Sequence, residues 1–163
     1  MSQFMMPVDN FFRSAARWPD RVAVEILDET GHCQISYQDL ALQVNALAVA
    51  LQAIDPAPQS RVGICAYNNV QHLLGWLATY AAGKTWVPLN PRNGRDELDR
   101  IIDLTQPSVI IFDGACSEKF GHKSAHLMLG KPDGDVSRAS SQMADLVAAH
   151  NGAVDRKSTR LNS

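Results

Sequence analysis

The triplet Gly83-Lys84-Thr85 is the part of the sequence that most resembles a phosphate-binding motif. A P-loop needs glycines that let backbone N–H groups approach an anion, followed by a lysine and a hydroxyl group, and this triplet carries the end of that pattern. The glycine needed five positions earlier is replaced by Ala78. The triplet also follows a predicted helix and leads into a predicted strand, which is the reverse of a P-loop. We therefore interpret Gly83 as a helix terminator.

Other catalytic and metal-binding patterns have little support. His122 and His126 follow Cys116 closely and would share one face of a helix, as metal ligands can. Gly121 and the strand-like run that starts at His126 argue against such a helix, so no metal site is predicted. The sequence has no G-x-S-x-G or G-x-G-x-x-G pattern. Three carboxylates at a predicted helix start are interpreted as complementing the helix dipole, so no catalytic residue is predicted: Asp96, Glu97 and Asp99.

Composition is typical of one folded domain. The 163 residues are 45% apolar and 20% charged, close to the average for globular proteins. A formal net charge of −2 without a long basic run argues against nucleic acid as a partner. No segment reaches the ~18 apolar residues of a transmembrane helix and the start lacks a secretion signal, so a cytoplasmic protein is expected. Three unpaired cysteines fit reduced thiols rather than a disulfide framework.

Periodicity predicts the elements that position these residues. A short amphipathic helix over residues 10–18 precedes a hairpin, with a first strand at 22–26 and a second ending at Ile35. Ser36 is a predicted N-cap, and the following helix has apolar residues at steps of three and four. These are Leu40, Val44, Leu47, Leu51 and Ile54.

Three short apolar runs are then separated by two helices. The runs are residues 62–66, 86–88 and 109–112; the first helix is capped by Asn68 or Asn69 and ends at Gly83, and the second begins at Asn93 or Gly94. Alternating strands and helices favour parallel pairing with right-handed crossovers. The predicted fold class is therefore α/β: a partial doubly wound parallel sheet with flanking helices, preceded by an N-terminal helix and a β-hairpin.

The pattern weakens beyond Asp113. A loop is predicted there, followed by an apolar run at 126–129 and a helix over 140–150. Residues 1–154 are assigned to one partial domain. Residues 155–163 change in composition and are expected to be a non-native or disordered tail, either translated sequencing-adaptor DNA or a natural basic tail.

Several segments, in order, resemble the N-terminal subdomain of the adenylate-forming superfamily of acyl-CoA synthetases, luciferases and peptide-synthetase adenylation domains. Residues 19–24 resemble its "PD-x-x-A" strand, residues 35–40 its "TYxEL" helix start, and residues 61–69 its "DRVAI…N" segment. The most specific match is residues 81–92, which are similar to "xxAGAxxVPLNPR". Asn90-Pro91-Arg92 is common in CoA ligases, whereas peptide synthetases usually have Asp-Pro there.

The resemblance implies an ATP-dependent, AMP-forming acid–CoA ligase that uses Mg-ATP and CoA on a small-molecule fatty or aryl carboxylic acid. It also implies that Arg92 contacts the nucleotide phosphates of CoA, for which a guanidinium group is suited. The family's phosphate loop and late catalytic lysine do not occur in the sequence. We therefore expect an N-terminal fragment without the C-terminal subdomains, inactive by itself.

Two alternatives stay open at this point. One is a truncated homologue that acts as a binding or regulatory module. The other is an unrelated flavodoxin-like binding domain, with a ligand site at a strand carboxyl end.

Overall fold

The computed structural model describes residues 6–28 and 31–120, together with Ala149. The predictions for residues 122–148 and 155–163, including His122 and His126, lie outside the described residues. Between residues 6 and 120, ten elements follow in order. They are α1 (Pro7–Arg17), β1 (Val22–Asp28), β2 (Gly31–Ser36), α2 (Tyr37–Ile54), β3 (Arg61–Cys65), α3 (Val70–Ala81), β4 (Thr85–Pro88), α4 (Arg95–Thr105), β5 (Val109–Phe112) and a 3₁₀ helix (Gly114–Lys119).

The N-terminal helix begins earlier than predicted. Periodicity placed its start at residue 10, but α1 starts at Pro7. Proline is tolerated at a first helical position, because the N–H that it lacks would have no partner within the helix. The backbone N–H of Met6 donates to Asp9 Oδ2 at 2.8 Å, which closes the first turn. The hairpin after α1 is antiparallel as predicted, with Glu25 opposite Gln34.

The central sheet is parallel, with strand order β4-β3-β5. Val62 on the middle strand pairs with Trp86 on one side and with Val109 on the other. Because β3 is central, the chain passes from β4 across β3 to reach β5. This arrangement confirms the predicted α/β fold class with a doubly wound parallel sheet.

Each face of the sheet has its own apolar core. Ile64 and Ile111 point to the face covered by α2 and α3, whereas Ile110 and Phe112 point to the face covered by α4. Strands buried on both faces are apolar at every position, which is why β5 is four buried residues in a row. The two helices that follow β3 and β4 therefore lie on opposite faces.

The predicted helix ends are largely confirmed. Ser36 caps α2, Asn69 caps α3, and Gly83 lies just beyond α3 with φ +69°. Two predictions were wrong. Ile54 was grouped with Leu40, Val44, Leu47 and Leu51 on one apolar face of α2, but those four are buried and Ile54, the last residue of the helix, is 39% exposed. The segment after β5 was predicted as a loop but forms the 3₁₀ helix, which buries Cys116 in the second core.

Candidate functional site

The loops after β3 and β4 form a crevice at the carboxyl edge of the sheet. α3 leaves this edge on one face and α4 on the other, and open α/β sheets bind ligands outside the carboxyl ends of their strands. The crevice encloses about 390 Å³ between residues 66–68 of the first loop and residues 89–92 of the second. Trp86 and His72 form its wall.

The loop after β4 holds Arg92, the sequence-predicted binding residue, at the mouth of this crevice. Asn90 organises the turn: its Oδ1 accepts the N–H of Arg92 at 2.9 Å and its backbone oxygen accepts the N–H of Asn93 at 3.0 Å. The Arg92 side chain is exposed, and its guanidinium group has no hydrogen-bond or ion-pair partner among the described residues. A fixed backbone thus presents a cation that no residue of the described ranges binds.

The loop after β3 is held by Asp113, a residue that the sequence analysis did not select. Asp113 Oδ2 accepts the backbone N–H of Tyr67 at 2.8 Å and the side-chain N–H of Asn69 at 3.2 Å. Asn69 Oδ1 in turn accepts the N–H of His72 at 2.8 Å, which caps α3. The available signal was a carboxylate directly after a buried strand, where it reaches the same edge of the sheet.

Two buried thiols lie beneath this edge. Cys65 ends β3 and Cys116 lies in the 3₁₀ helix, and both side chains are buried in the second core. Burial raises the pKa of both thiols, and for Cys116 a hydrogen bond with Asp113 raises the pKa further. Because the thiolate is the reactive form, these cysteines are structural rather than nucleophilic.

A larger groove adjoins the crevice. It encloses about 980 Å³ between β1 and the start of α3, and its wall includes Trp76 and Trp86. Asn68, His72 and Trp86 line both the groove and the crevice. The two cavities are therefore neighbours on one side of the molecule.

Lys84 lies at the opposite, amino edge of the sheet and is only 6% exposed. Its ammonium group donates to the backbone oxygens of Asp55 and Ala57 and, at 2.8 Å, to Ser60 Oγ. All three ammonium donors are thereby engaged, so the side chain ties the end of α2 to the start of β4. This geometry confirms that Gly83-Lys84-Thr85 is not a phosphate loop.

Within residues 6–28 and 31–120, no group of three or more His, Cys, Asp or Glu could hold a metal ion. Asp96 and Glu97 are exposed in the first turn of α4, as interpreted from the sequence. No helix in the described part of the chain has the length and apolar character needed to span a membrane.

The fold places the chain in a class, the doubly wound α/β proteins, in which ligands usually bind at the carboxyl edge of the parallel sheet. Comparison with known proteins identifies the family within it. The AMP-binding enzyme family matches residues 11–158, and the chain belongs to that family. This membership makes the alternative of an unrelated flavodoxin-like domain wrong.

The curated relatives include large synthetases. The AMB antimetabolite synthetase AmbB of Pseudomonas aeruginosa is 30% identical over 136 residues, which cover 83% of this chain and 10% of that protein. The phosphinothricin tripeptide synthetase PhsC of Streptomyces viridochromogenes is 27% identical over 127 residues, which cover 78% of this chain and 11% of that protein. The chain therefore spans about a tenth of the length of these two relatives.

Solved structures share the fold. A putative long-chain-fatty-acid CoA ligase from Rhodopseudomonas palustris matches with a TM-score of 0.70 and 21% identity, over 83% of this chain and 35% of that one. The N-terminal subdomain of Klebsiella oxytoca NpsA, bound to 3-hydroxybenzoyl-AMSN, matches with a TM-score of 0.65 and 22% identity, over 90% and 32%. At these identities the likeness establishes the fold alone.

Proposed function

We propose that this chain is the N-terminal part of an AMP-forming acid–CoA ligase acting on a fatty or aryl carboxylic acid. In the first step the carboxylate attacks the α-phosphate of Mg-ATP, giving an acyl-adenylate and releasing pyrophosphate. In the second step the CoA thiol attacks the acyl carbon, giving the thioester, AMP and a proton. Residues 1–154 form the family portion in this proposal, and residues 155–163 a tail.

The observation that supports CoA as a ligand is the state of Arg92. It stands at a crevice of the carboxyl edge on a turn organised by Asn90, with an exposed guanidinium group that has no partner among the described residues. A guanidinium fork matches phosphate oxygens geometrically and forms charge-assisted hydrogen bonds with them. In this proposal Arg92 binds the nucleotide phosphates of CoA.

Adenylation is assigned to other residues of the family. Joining two anions requires preorganised positive charge and backbone donors around the phosphates. The sequence lacks the family's phosphate loop and its late lysine. We therefore expect the purified chain to show no carboxylate-dependent exchange between ATP and pyrophosphate.

A second candidate is an adenylation domain of a peptide synthetase, which would activate an amino acid and not use CoA. Its support is the similarity to AmbB and to the tripeptide synthetase PhsC. Against it stands the Asn90-Pro91-Arg92 sequence, at a position where peptide synthetases usually carry Asp-Pro. The two candidates differ in whether the crevice binds CoA.

Titration calorimetry of the 163-residue chain with CoA separates them. We expect CoA to bind, and Arg92→Ala to weaken the binding about tenfold, the effect of losing one charge-assisted contact to phosphate. Arg92→Lys should weaken it less, since the charge remains and the fork is lost. Arg100→Ala, which removes an exposed cation of α4, is the matched control and should bind CoA as the wild type does.

Binding of CoA that is unchanged by Arg92→Ala would reject the role of Arg92. No binding of CoA by the wild type would favour the peptide-synthetase candidate. Pantetheine, which lacks the nucleotide, should bind equally to the wild type and to Arg92→Ala.

A further inference from the structure

The 3₁₀ helix after β5 reaches across to the loop that carries Arg92. The ammonium group of Lys119 donates to the backbone oxygen of Pro91 and, at 2.9 Å, to that of Asn93. The Arg95 guanidinium group donates a hydrogen bond to the backbone oxygen of the neighbouring Glu118 at 2.6 Å. One short helix thereby contacts both the turn and the start of α4.

The two carbonyls bound by Lys119 flank Arg92 on either side. Asn90 fixes the same turn from within, through the N–H groups of Arg92 and Asn93. Lys119 fixes it from outside, with charge-assisted hydrogen bonds that are stronger than those between neutral groups. The backbone of Arg92 is thus constrained on both sides, while its guanidinium group has no partner within residues 6–28 and 31–120.

We propose that Lys119 is a positioning residue that holds Arg92 over the crevice for a phosphate-bearing ligand of the CoA type. The proposal rests on the proposed function, since it takes Arg92 as the ligand contact. Its physical basis is preorganisation: a turn that is already ordered does not lose further conformational freedom when the ligand binds. Lys119 acts through Arg92, because two of its three ammonium donors are held by the turn.

Hydrogen exchange tests the positioning without any ligand. Lys119→Met keeps the aliphatic stem and removes the ammonium group. We expect exchange of the Arg92 and Asn93 amides to rise about tenfold, as the turn opens more often. Arg100→Met, which removes a cation elsewhere, should leave both rates unchanged, and Lys119→Arg should restore much of the protection. Unchanged exchange in a folded Lys119→Met variant would overturn the proposal.

A double-mutant cycle with CoA then tests whether the effect passes through Arg92. We expect Lys119→Met to weaken binding about tenfold in the wild type and less than about twofold in the Arg92→Ala background. Equal losses in both backgrounds would show direct contact of Lys119 with the ligand and overturn the positioning role. If the wild type binds no CoA, the proposed function fails, and the exchange experiment alone decides the role of Lys119. If Lys119→Met does not fold, Lys119→Gln replaces it in both experiments.

Discussion

The cations at the two edges of the three-stranded sheet differ in burial and in hydrogen bonding. At the amino edge, Lys84 is buried, and its ammonium group has three oxygen acceptors. At the carboxyl edge, Arg92 is exposed, and no described residue binds its guanidinium group. β4 joins the two, since Lys84 directly precedes it and Arg92 follows it by four residues.

The polar atoms near the two cations also differ in whether they have hydrogen-bond partners. At the amino edge, the Asp55 carboxylate accepts the Ala57 N–H at 2.9 Å, and the Ser108 hydroxyl donates to the backbone oxygen of Arg61 at 3.3 Å. At the wall of the crevice, His72 Nδ1 and Trp86 Nε1 are buried without a hydrogen-bond partner in the described part of the chain. Buried polar atoms nearly always have partners. The polar groups named at the amino edge therefore have their hydrogen-bond partners. Further contacts, such as those with a ligand, are expected at the carboxyl edge.

Removing Lys84 should produce the largest effect on stability. Lys84→Met leaves three oxygen acceptors of the amino edge without their cation, which we expect to lower the free energy of unfolding by about 2–3 kcal/mol. Urea unfolding followed by tryptophan fluorescence measures this change.

The matched variant at the other edge is Arg92→Ala. Because its guanidinium group binds no described residue, its loss should change the free energy of unfolding by less than about 0.5 kcal/mol. Equal effects of the two substitutions would remove the distinction between a structural edge and a binding edge.

The sequence predicted the elements well and the network at each edge poorly. Helices such as α2 repeat their apolar residues every three or four positions, a local signal that also placed Ser36 and Gly83 at the helix ends. The contacts of Lys84 come from residues 24–29 positions earlier in the chain. No local pattern encodes such a distance, so the sequence could exclude a P-loop without predicting what Lys84 binds.

The residues of the candidate site show the same difference between local patterns and long-range contacts. Arg92 was selected by resemblance to a family motif, whereas Asp113 and Lys119 were missed. Their partners lie 26 to 46 positions away and are mostly backbone atoms, which leave no trace in residue type. The 3₁₀ helix that carries Lys119 is six residues long, too short for a repeating apolar pattern.

Substituting the glycines near the two cations should change stability by an intermediate amount and so tests the same comparison. Gly83, next to Lys84, has φ +69° and open space where a Cβ would lie, so Gly83→Ala should cost about 1 kcal/mol through backbone strain alone. Gly94, the N-cap of α4 at the carboxyl edge, has φ −67° and equally open space, so Gly94→Ala carries no left-handed strain and should cost only about 0.5 kcal/mol, because alanine is a poorer N-cap than glycine. Thermal unfolding of both variants measures the difference, and an equal cost would mean that the left-handed conformation of Gly83 is not required.

The smallest effect concerns the acid response of the amino edge. Hydrogen bonds from Ser108, then from Ala57 and Ser60, lower the pKa of Asp55 in the folded protein from its ordinary value of 3.8. The unfolded chain therefore binds a proton more readily than the folded one, so ionised Asp55 contributes stability above pH 3.8 that is lost as the pH falls through its folded pKa. Asp55→Asn should accordingly lower the melting temperature near neutral pH, and the difference from the wild type should shrink as the pH is lowered below 3.8. A difference that stays constant with pH would assign the role of Asp55 to its shape, since asparagine can still accept the Ala57 N–H, and would leave Lys84 as the charge on which this edge depends.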